Sequence, residues 1–187
     1  PGGMRYNHTD AASVQAHIRH AQSRSMIPLL VASNIEAGGN GACSDGTHVA
    51  TPLQTASTPD TDAARQMGLV GARESRALGC NWAFTPIVDI HSNWRNTVVA
   101  TRAFGNDHQT VIAQAYCDGV REGAGDRPMA LCMKHFPGDG RDERDQHDEG
   151  DATDRGEVIV DVAFGGLGDE LPQADRDGDA AERVTAD

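Results

Sequence analysis

Short apolar runs alternate with longer amphipathic stretches along the first two thirds of the chain. The amphipathic stretches predict helices over residues 10–24, 60–78 and 107–122, because apolar side chains recur in them every three or four positions. The apolar runs predict buried strands over residues 27–32, 82–90 and 130–136. Strands that alternate with helices at this spacing pair in parallel. The pattern therefore predicts an α/β fold.

Both ends of the chain depart from this pattern. Gly2 and Gly3 are typical of a loop that follows a strand, so we expect the strand before the first helix to be absent. Residues 168–187 are dominated by Asp, Gly, Ala and Arg, and we expect them to be disordered because they cannot bury enough apolar surface. We predict two parts, a folded domain over residues 1–147 and an acidic, mostly disordered tail over residues 148–187.

Charge divides the chain at the same place. Residues 1–147 carry 15 acidic and 13 basic side chains, whereas residues 148–187 carry 13 and 3, so the first part is nearly neutral. We expect no nucleic-acid partner, since phosphate binding needs clustered positive charge. No apolar stretch is long enough to cross a bilayer, which predicts no membrane partner. No signal peptide is visible and the chain opens on Pro1, so the compartment stays open, with the cytoplasm slightly favoured.

Two sequence features indicate structure rather than a cofactor. The four cysteines lie far apart without a C-x-x-C motif, and three of them lie in or beside apolar runs, which predicts buried free thiols. A glycine-rich loop over residues 38–41 would allow close approach to a nucleotide, but the full G-x-G-x-x-G spacing is missing. A nucleotide-binding domain is therefore the weaker interpretation.

The densest run of charged and hinge residues extends from Lys134 to His147. Lys134 is the only lysine of the chain and follows an apolar run, so it should emerge with His135 at the C-terminal end of a strand. Asp145 and His147 are spaced for the carboxylate to hold the imidazole in one tautomer, which suits proton transfer near neutral pH. A solvated charged loop is the alternative, because charge runs usually face water.

Other polar residues stand near the ends of the predicted strands. Asp89 ends an otherwise apolar strand, where a buried carboxylate needs a partner. The following loop, residues 91–106, is long and contains Arg102, and loops of this length are usually functional or disordered. Arginine, lysine, histidine and aspartate that converge at strand ends suit a polyol such as a sugar.

A metal site is the competing interpretation of the same segment. The residues with ligand-type side chains are His135, Asp139, Asp145 and His147. Their spacing matches no recognised metal motif, so we predict that the protein binds no metal and needs no cofactor.

The run Lys134-His135-Phe136-Pro137-Gly138-x-Gly140, followed by Asp145-x-His147, resembles the signature of glycoside hydrolase family 3 in its β-N-acetylglucosaminidase-like branch. Three supporting segments occur in the order of the family: Asn34-x-Glu36-x-Gly38-Gly39, Pro86-x-Val88-Asp89-Ile90 and Thr101-Arg102-x-Phe104-Gly105. The resemblance covers about residues 1–147. The chain departs from many relatives at Asn34, where they have an aspartate.

The resemblance implies a (β/α)8 TIM-type barrel that binds a sugar at its C-terminal face. The chain would supply a partial barrel, roughly strands 2–4 with their helices. By this resemblance, Lys134, His135 and Arg102 bind the sugar hydroxyls. Asp89 lies near the sugar in the family, and Glu36 supports the loop after the second strand.

The resemblance also implies a retaining glycosidase that acts on a small-molecule N-acetylglucosaminide or glucoside. In this branch His147 would be the general acid/base and Asp145 would orient it, an arrangement that departs from the usual pair of carboxylates. The nucleophile of the family is an aspartate on a later strand. No aspartate of the tail has that context, although Asp161 comes nearest. We therefore expect a truncated enzyme without its nucleophile, or alternatively a noncatalytic fragment with at most weak sugar binding.

Overall fold

A computed structural model describes residues 2–5, 9–106, 110–136 and 138–141 of the chain. The strands in this part are β1 (Gly3–Arg5), β2 (Leu30–Ser33), β3 (Trp82–Ala83) and β4 (Ala130–Leu131). The helices are α1 (Ala11–Ser23), α2 (Pro52–Ala56), α3 (Thr61–Leu78) and α4 (Thr110–Ala124). The predicted residues Asp145 and His147 and the predicted tail lie outside the described residues.

The four strands form one parallel sheet in the order β1-β2-β3-β4. Met4 lies opposite Val31, Ala32 opposite Trp82, and Ala83 opposite Leu131. Helices connect the successive strands, as parallel pairing requires. The prediction of an α/β fold with a parallel sheet is confirmed, and all the carboxyl ends of the strands lie at one edge.

The strand that we expected to be absent is present. Gly3–Arg5 forms β1, and the amide of Leu30 donates to the carbonyl of Gly2 at 3.1 Å. Only three residues pair, so no apolar run marks the strand in the sequence. A Cβ on Gly3 would lie 2.9 Å from the carbonyl oxygen of Leu30, so the glycine permits the close pairing that we interpreted as a loop.

Side-chain caps fix the ends of two helices where the sequence predicted them. The carboxylate of Asp10 accepts from the amide of Ser13 at 2.9 Å, and α1 begins at the next residue. Asp60 caps α3 in the same way, and α3 ends before Gly79, which has a left-handed φ of 107°. Both predicted helices are confirmed.

The structure departs from the sequence pattern at two further places. Residues 42–59 lie outside the predicted helices and strands, but Thr51 and Gln54 form a reciprocal capping box that starts α2. The second strand begins at Leu30 and not at residue 27, because Ile27 is 79% exposed and lies before the sheet. The apolar run was therefore a poor guide to where backbone pairing begins.

The core lies between the sheet and its helices, and α3 packs closely against α4. A Cβ on Gly119 would lie 1.9 Å from the carbonyl oxygen of Arg65, and one on Gly68 would lie 2.3 Å from that of Tyr116. The two helices therefore touch through backbone at these glycines. The Tyr116 hydroxyl donates to the carbonyl of Ile35 at 2.7 Å and ties α4 to the loop after β2. In the described part of the chain, no helix has the length and apolar character to span a membrane.

Candidate functional site

Polar side chains gather at the edge of the sheet where β2, β3 and β4 end. Lys134 follows β4 and is fixed against the chain after β3, because its amide donates to Pro86 at 3.1 Å and its carbonyl accepts from Val88 at 2.8 Å. Glu36 lies just after β2, and Asp89 lies next to Val88 in the chain segment that follows β3. Parallel pairing thus brings the residues predicted from three separate strand ends to one place.

One side of this site is a charged cluster made of Asn34, Glu36, Arg102 and Lys134. Arg102 donates two hydrogen bonds of 2.9 Å to Glu36, from Nε to Oε2 and from Nη2 to Oε1. Lys134 Nζ lies 2.5 Å from Glu36 Oε1 and donates to Asn34 Oδ1 at 2.9 Å. Two cations therefore share one carboxylate.

The cluster keeps its charges although it is largely shielded from water. Burial alone would raise the pKa of Glu36, but the hydrogen bonds and charges of Arg102 and Lys134 outweigh burial and hold this pKa below its ordinary value. The hydrogen bond to Glu36 raises the pKa of Arg102. Because one anion faces two cations, the cluster has a net positive charge and spare N–H donors.

The other side is an aspartate network made of Asp89, His135 and Asp139. The Asp89 side chain is 0% exposed. Its Oδ2 accepts from the His135 amide at 3.0 Å and lies 2.8 Å from His135 Nδ1, and its Oδ1 accepts from the Asp139 amide at 2.6 Å. This supplies the partner that the sequence demanded for a buried carboxylate, and it fixes the backbone on both sides of residue 137.

The predicted site residues thus fall into two groups. Lys134, Arg102 and Glu36 meet in the charged cluster, and Asp89 meets His135 in the aspartate network. The predicted acid/base residues lie outside the described part of the chain. Within that part, no group of three His, Cys, Asp or Glu side chains is arranged to hold a metal ion.

Sequence reasoning missed two asparagines that connect these groups to the next segment. Asn96 is 2% exposed and donates from Nδ2 to the carbonyl of Asp139 at 2.5 Å. Asn93 donates from Nδ2 to the carbonyl of Arg141 at 2.9 Å. Two asparagines three residues apart after a strand were the available signal, since such side chains often cap their own loop.

Comparison with known proteins assigns this architecture to a family. The sequence model described as "Glycosyl hydrolase family 3 N terminal domain" matches residues 3–162. The match includes both sides of the site and extends fifteen residues beyond the predicted domain boundary at 147, which stays a prediction.

Curated relatives have similar sequences over most of this chain. It is 43% identical over 148 residues to a beta-N-acetylglucosaminidase/beta-glucosidase from Cellulomonas fimi, which covers 78% of this chain and 26% of the relative. It is 35% identical to a beta-hexosaminidase from Xanthomonas euvesicatoria pv. vesicatoria, with 74% of this chain and 42% of the relative covered. The chain thus spans only a quarter to under half of the length of these relatives.

Solved structures match the fold. A beta-glucoside phosphorylase, BglX, superposes with a TM-score of 0.73 at 41% identity, over 79% of this chain and 27% of its own. NagZ from Neisseria gonorrhoeae, in complex with N-trifluoroacetyl-D-glucosamine, superposes with a TM-score of 0.64 at 26% identity, over 77% of this chain and 46% of its own. These neighbours are TIM-barrel domains, so the prediction of a partial barrel is confirmed.

Proposed function

Because this chain belongs to glycosyl hydrolase family 3, we propose that it supplies the sugar-binding and acid/base parts of a retaining glycosidase. The proposed substrates are β-N-acetylglucosaminides and β-glucosides, the two sugars named for the Cellulomonas fimi relative. No nucleic acid, membrane or cofactor takes part in this proposal.

The observation that carries the proposal is the charged cluster at the carboxyl ends of the strands. Its two cations offer N–H donors in a fixed direction, because Glu36 holds both of them. Arg102 and Lys134 are 35% and 16% exposed, so each still reaches solvent. Fixed donors of this kind suit sugar hydroxyls, which accept hydrogen bonds from charged groups without requiring an opposite charge.

The neighbouring histidine belongs to the same proposed site. Asp89 holds both the amide and Nδ1 of His135, so the Nε2 atom is left to meet a hydroxyl group of the sugar. We assign Asp89 chiefly to orienting His135, since its carboxylate is fully shielded from solvent. Glu36 likewise orients Arg102 and Lys134.

For the chemical step we assign His147 as the general acid/base and Asp145 as the residue that orients it. His147 would give its proton to the leaving glycosidic oxygen, and would later take a proton from the water that attacks the sugar. A retaining mechanism also needs a carboxylate nucleophile, which the resemblance assigns to an aspartate on a later strand. Both assigned residues rest on the sequence motif.

A noncatalytic sugar-binding fragment is the second candidate function. One observation favours it: no aspartate of the predicted tail has the sequence context of the family nucleophile. In that case the charged cluster would still bind sugar, but weakly and without turnover.

Turnover of a nitrophenyl N-acetylglucosaminide separates the two functions. Release of nitrophenol that disappears in His147→Ala supports the catalytic assignment. Saturable binding of the sugar without release supports the noncatalytic fragment. Failure of both turnover and binding would reject the two together.

The acceptor of the glycosyl group is a separate question, because a structure 41% identical to this chain is a beta-glucoside phosphorylase. Turnover should therefore be repeated with inorganic phosphate. A sugar 1-phosphate as product identifies phosphorolysis, whereas the free sugar alone identifies hydrolysis.

A further inference from the structure

The aromatic side chains in the described part of the chain occupy two kinds of environment. Most of them pack against one another in pairs, with ring centroids 4.7 and 6.0 Å apart: Trp82 with Phe84, and Phe104 with Tyr116. Trp94 and Phe136 instead stand at the surface, 81% and 64% exposed. An aromatic ring in water forgoes the stabilisation that burial of its large apolar face would give. The two exposed rings therefore do not serve the core.

Both exposed rings belong to the neighbourhood of the proposed sugar site. Phe136 directly follows His135 of the aspartate network. Trp94 lies in the loop after β3, next to Asn93, whose amide donates to the carbonyl of Gly140 at 3.2 Å.

The segment that holds the Trp94 loop is itself bound to the aspartate network. Gly140 directly follows Asp139, and the amide of Asp139 donates to Asp89 Oδ1 at 2.6 Å. A Cβ on Gly140 would lie 1.7 Å from the carbonyl oxygen of Ile90, so this segment and the chain after β3 also touch through backbone. These contacts fix the loop that carries Trp94 at the rim of the site.

Arg95 covers one face of the Trp94 ring. Its guanidinium carbon lies 5.1 Å from the ring centroid, a distance typical of a cation–π contact. The amide of Arg95 donates to Asn93 Oδ1 at 3.0 Å, which fixes the backbone at the same place. Because the Trp94 side chain is still 81% exposed, its opposite face is open to solvent. The ring thus presents one supported, open face.

A sugar ring is the ligand that suits an open aromatic face beside a site for sugar hydroxyls. The hydroxyl groups of glucose and N-acetylglucosamine in their β-glycosides point outward around the ring, so the C–H groups form two apolar faces. These C–H groups carry a slight positive charge, and the face of an indole ring is negative. In our proposal the charged cluster and His135 bind the first sugar through its hydroxyls. The ring that stacks on Trp94 is then that of the second sugar, the aglycone.

We propose that Trp94 is a specificity-determining residue that stacks on the aglycone sugar of a β-linked disaccharide. This inference rests on the function proposed above, because the first sugar must occupy the site between the charged cluster and His135. It adds to that function a preference for a sugar as aglycone over a small alkyl group.

Calorimetric titration with two ligands measures this preference. The first ligand is methyl N-acetyl-β-glucosaminide, and the second is a sulfur-linked β-disaccharide of N-acetylglucosamine, whose linkage resists hydrolysis. We expect the unchanged protein to bind the disaccharide about tenfold more tightly than the monosaccharide. Trp94→Ala should remove this advantage and leave the affinity for the monosaccharide unchanged. Trp94→Phe keeps an aromatic face and should keep part of the advantage.

Tryptophan fluorescence tests the contact itself. The chain has two tryptophans, so Trp82→Phe leaves Trp94 as the reporter. Saturating disaccharide should lower the acrylamide quenching constant of Trp94 at least about twofold, because a stacked ring has less of its surface in water. Saturating monosaccharide should leave the constant unchanged. The matched control is Trp94→Phe, in which the half-buried Trp82 is the reporter and neither ligand should change the quenching.

The outcomes separate this proposal from the proposed function. If the monosaccharide binds and the disaccharide has no advantage, or if the advantage survives in Trp94→Ala, the role of Trp94 is wrong and the proposed function stands. If the disaccharide binds more tightly without protecting Trp94 from acrylamide, the aglycone contacts other residues and the proposal is overturned. If neither sugar binds, the proposed function fails and the role of Trp94 fails with it.

Discussion

The two sides of the strand-end site are built from opposite kinds of contact. In the charged cluster, long side chains from distant loops bind one another, and Glu36 joins Arg102 and Lys134 across 66 and 98 positions of the sequence. In the aspartate network, one short carboxylate binds mostly backbone amides, at His135 and Asp139. The Arg102 side chain of the cluster is 35% exposed, whereas the Asp89 side chain is 0% exposed.

This difference in contacts indicates two roles: the charged cluster is suited to bind a ligand, and the aspartate network is suited to hold His135 and the backbone in place. Lysine and arginine carry more N–H groups than Glu36 can accept, so the cluster has donors left for a ligand. The Asp89 carboxylate already has three partners, so its contribution is the placement of His135 and the chain that follows. We therefore expect damage to the network to cost more stability than damage to the cluster.

Asp89→Asn should have the largest effect on stability. The NH2 group of the asparagine would replace one of the two accepting oxygens of Asp89. It would face an N–H of His135 or Asp139 in a fully buried position, where neither group can accept. We expect the free energy of unfolding, measured in urea, to fall by about 3 kcal/mol. The control Asp139→Asn leaves the backbone contacts in place and should change it by less than about 0.5 kcal/mol. If Asp89→Asn costs less than damage to the cluster, the comparison is wrong.

Glu36→Gln should come second, at about 2 kcal/mol, because it leaves Arg102 and Lys134 without their shared carboxylate. Glu122→Gln removes a carboxylate from an ion pair with Arg65 in which the Glu122 side chain is 53% exposed. This control should cost at most about 0.5 kcal/mol. Equal costs for the two glutamates would mean that burial does not strengthen the cluster.

Arg102→Lys should cost about 1 kcal/mol, since a lysine keeps the charge but loses the paired hydrogen bonds to Glu36. Urea unfolding is again the measurement. Arg121→Lys is the exposed counterpart, because its ion pair with Asp118 lies at the surface, and it should have almost no effect. If Arg102→Lys leaves the free energy of unfolding unchanged, charge alone holds the cluster together.

Acid should weaken the cluster in a defined range of pH. The pKa of Glu36 in the folded state lies below the ordinary value of 4.5, so the folded state binds this proton less readily than the unfolded chain does. Its contribution is complete above pH 4.5 and is lost as the pH falls through the folded-state pKa.

The gap in unfolding free energy between the unchanged protein and Glu36→Gln isolates this contribution from that of other carboxylates. We expect the gap to be constant near neutral pH and to narrow once the pH falls below 4.5. A gap that widens in acid would contradict the direction of the pKa shift.

Local signals in the sequence were sufficient for some parts of the fold and not for others. Asp10, Asp60 and Gly79 marked helix ends because each cap acts within a few residues of itself. The sequence did not predict β1, because the pairing of β1 with β2 is a backbone contact between residues 27 positions apart. Residue-level patterns do not record such long-range pairing.

The sequence pattern also failed to predict the long-range contacts within the candidate site. Strand ends and charge placed Lys134 and Asp89 at one edge of the sheet, since parallel strands bring their carboxyl ends together. The partners of these residues did not follow from the pattern. Asn96 reads as an ordinary loop residue until the fold sets it beside Asp139, which is 43 positions away.

Sugar binding by the charged cluster is the central claim, and calorimetric titration with methyl N-acetyl-β-glucosaminide tests it most directly. We predict saturable binding that weakens at least about tenfold in Lys134→Gln, because a charged donor to the sugar is lost. Arg121→Gln, at the surface of α4, should bind as the unchanged protein does, and urea unfolding should show that both variants are folded. Absence of binding by the unchanged protein, or equal binding by Lys134→Gln, would contradict the claim.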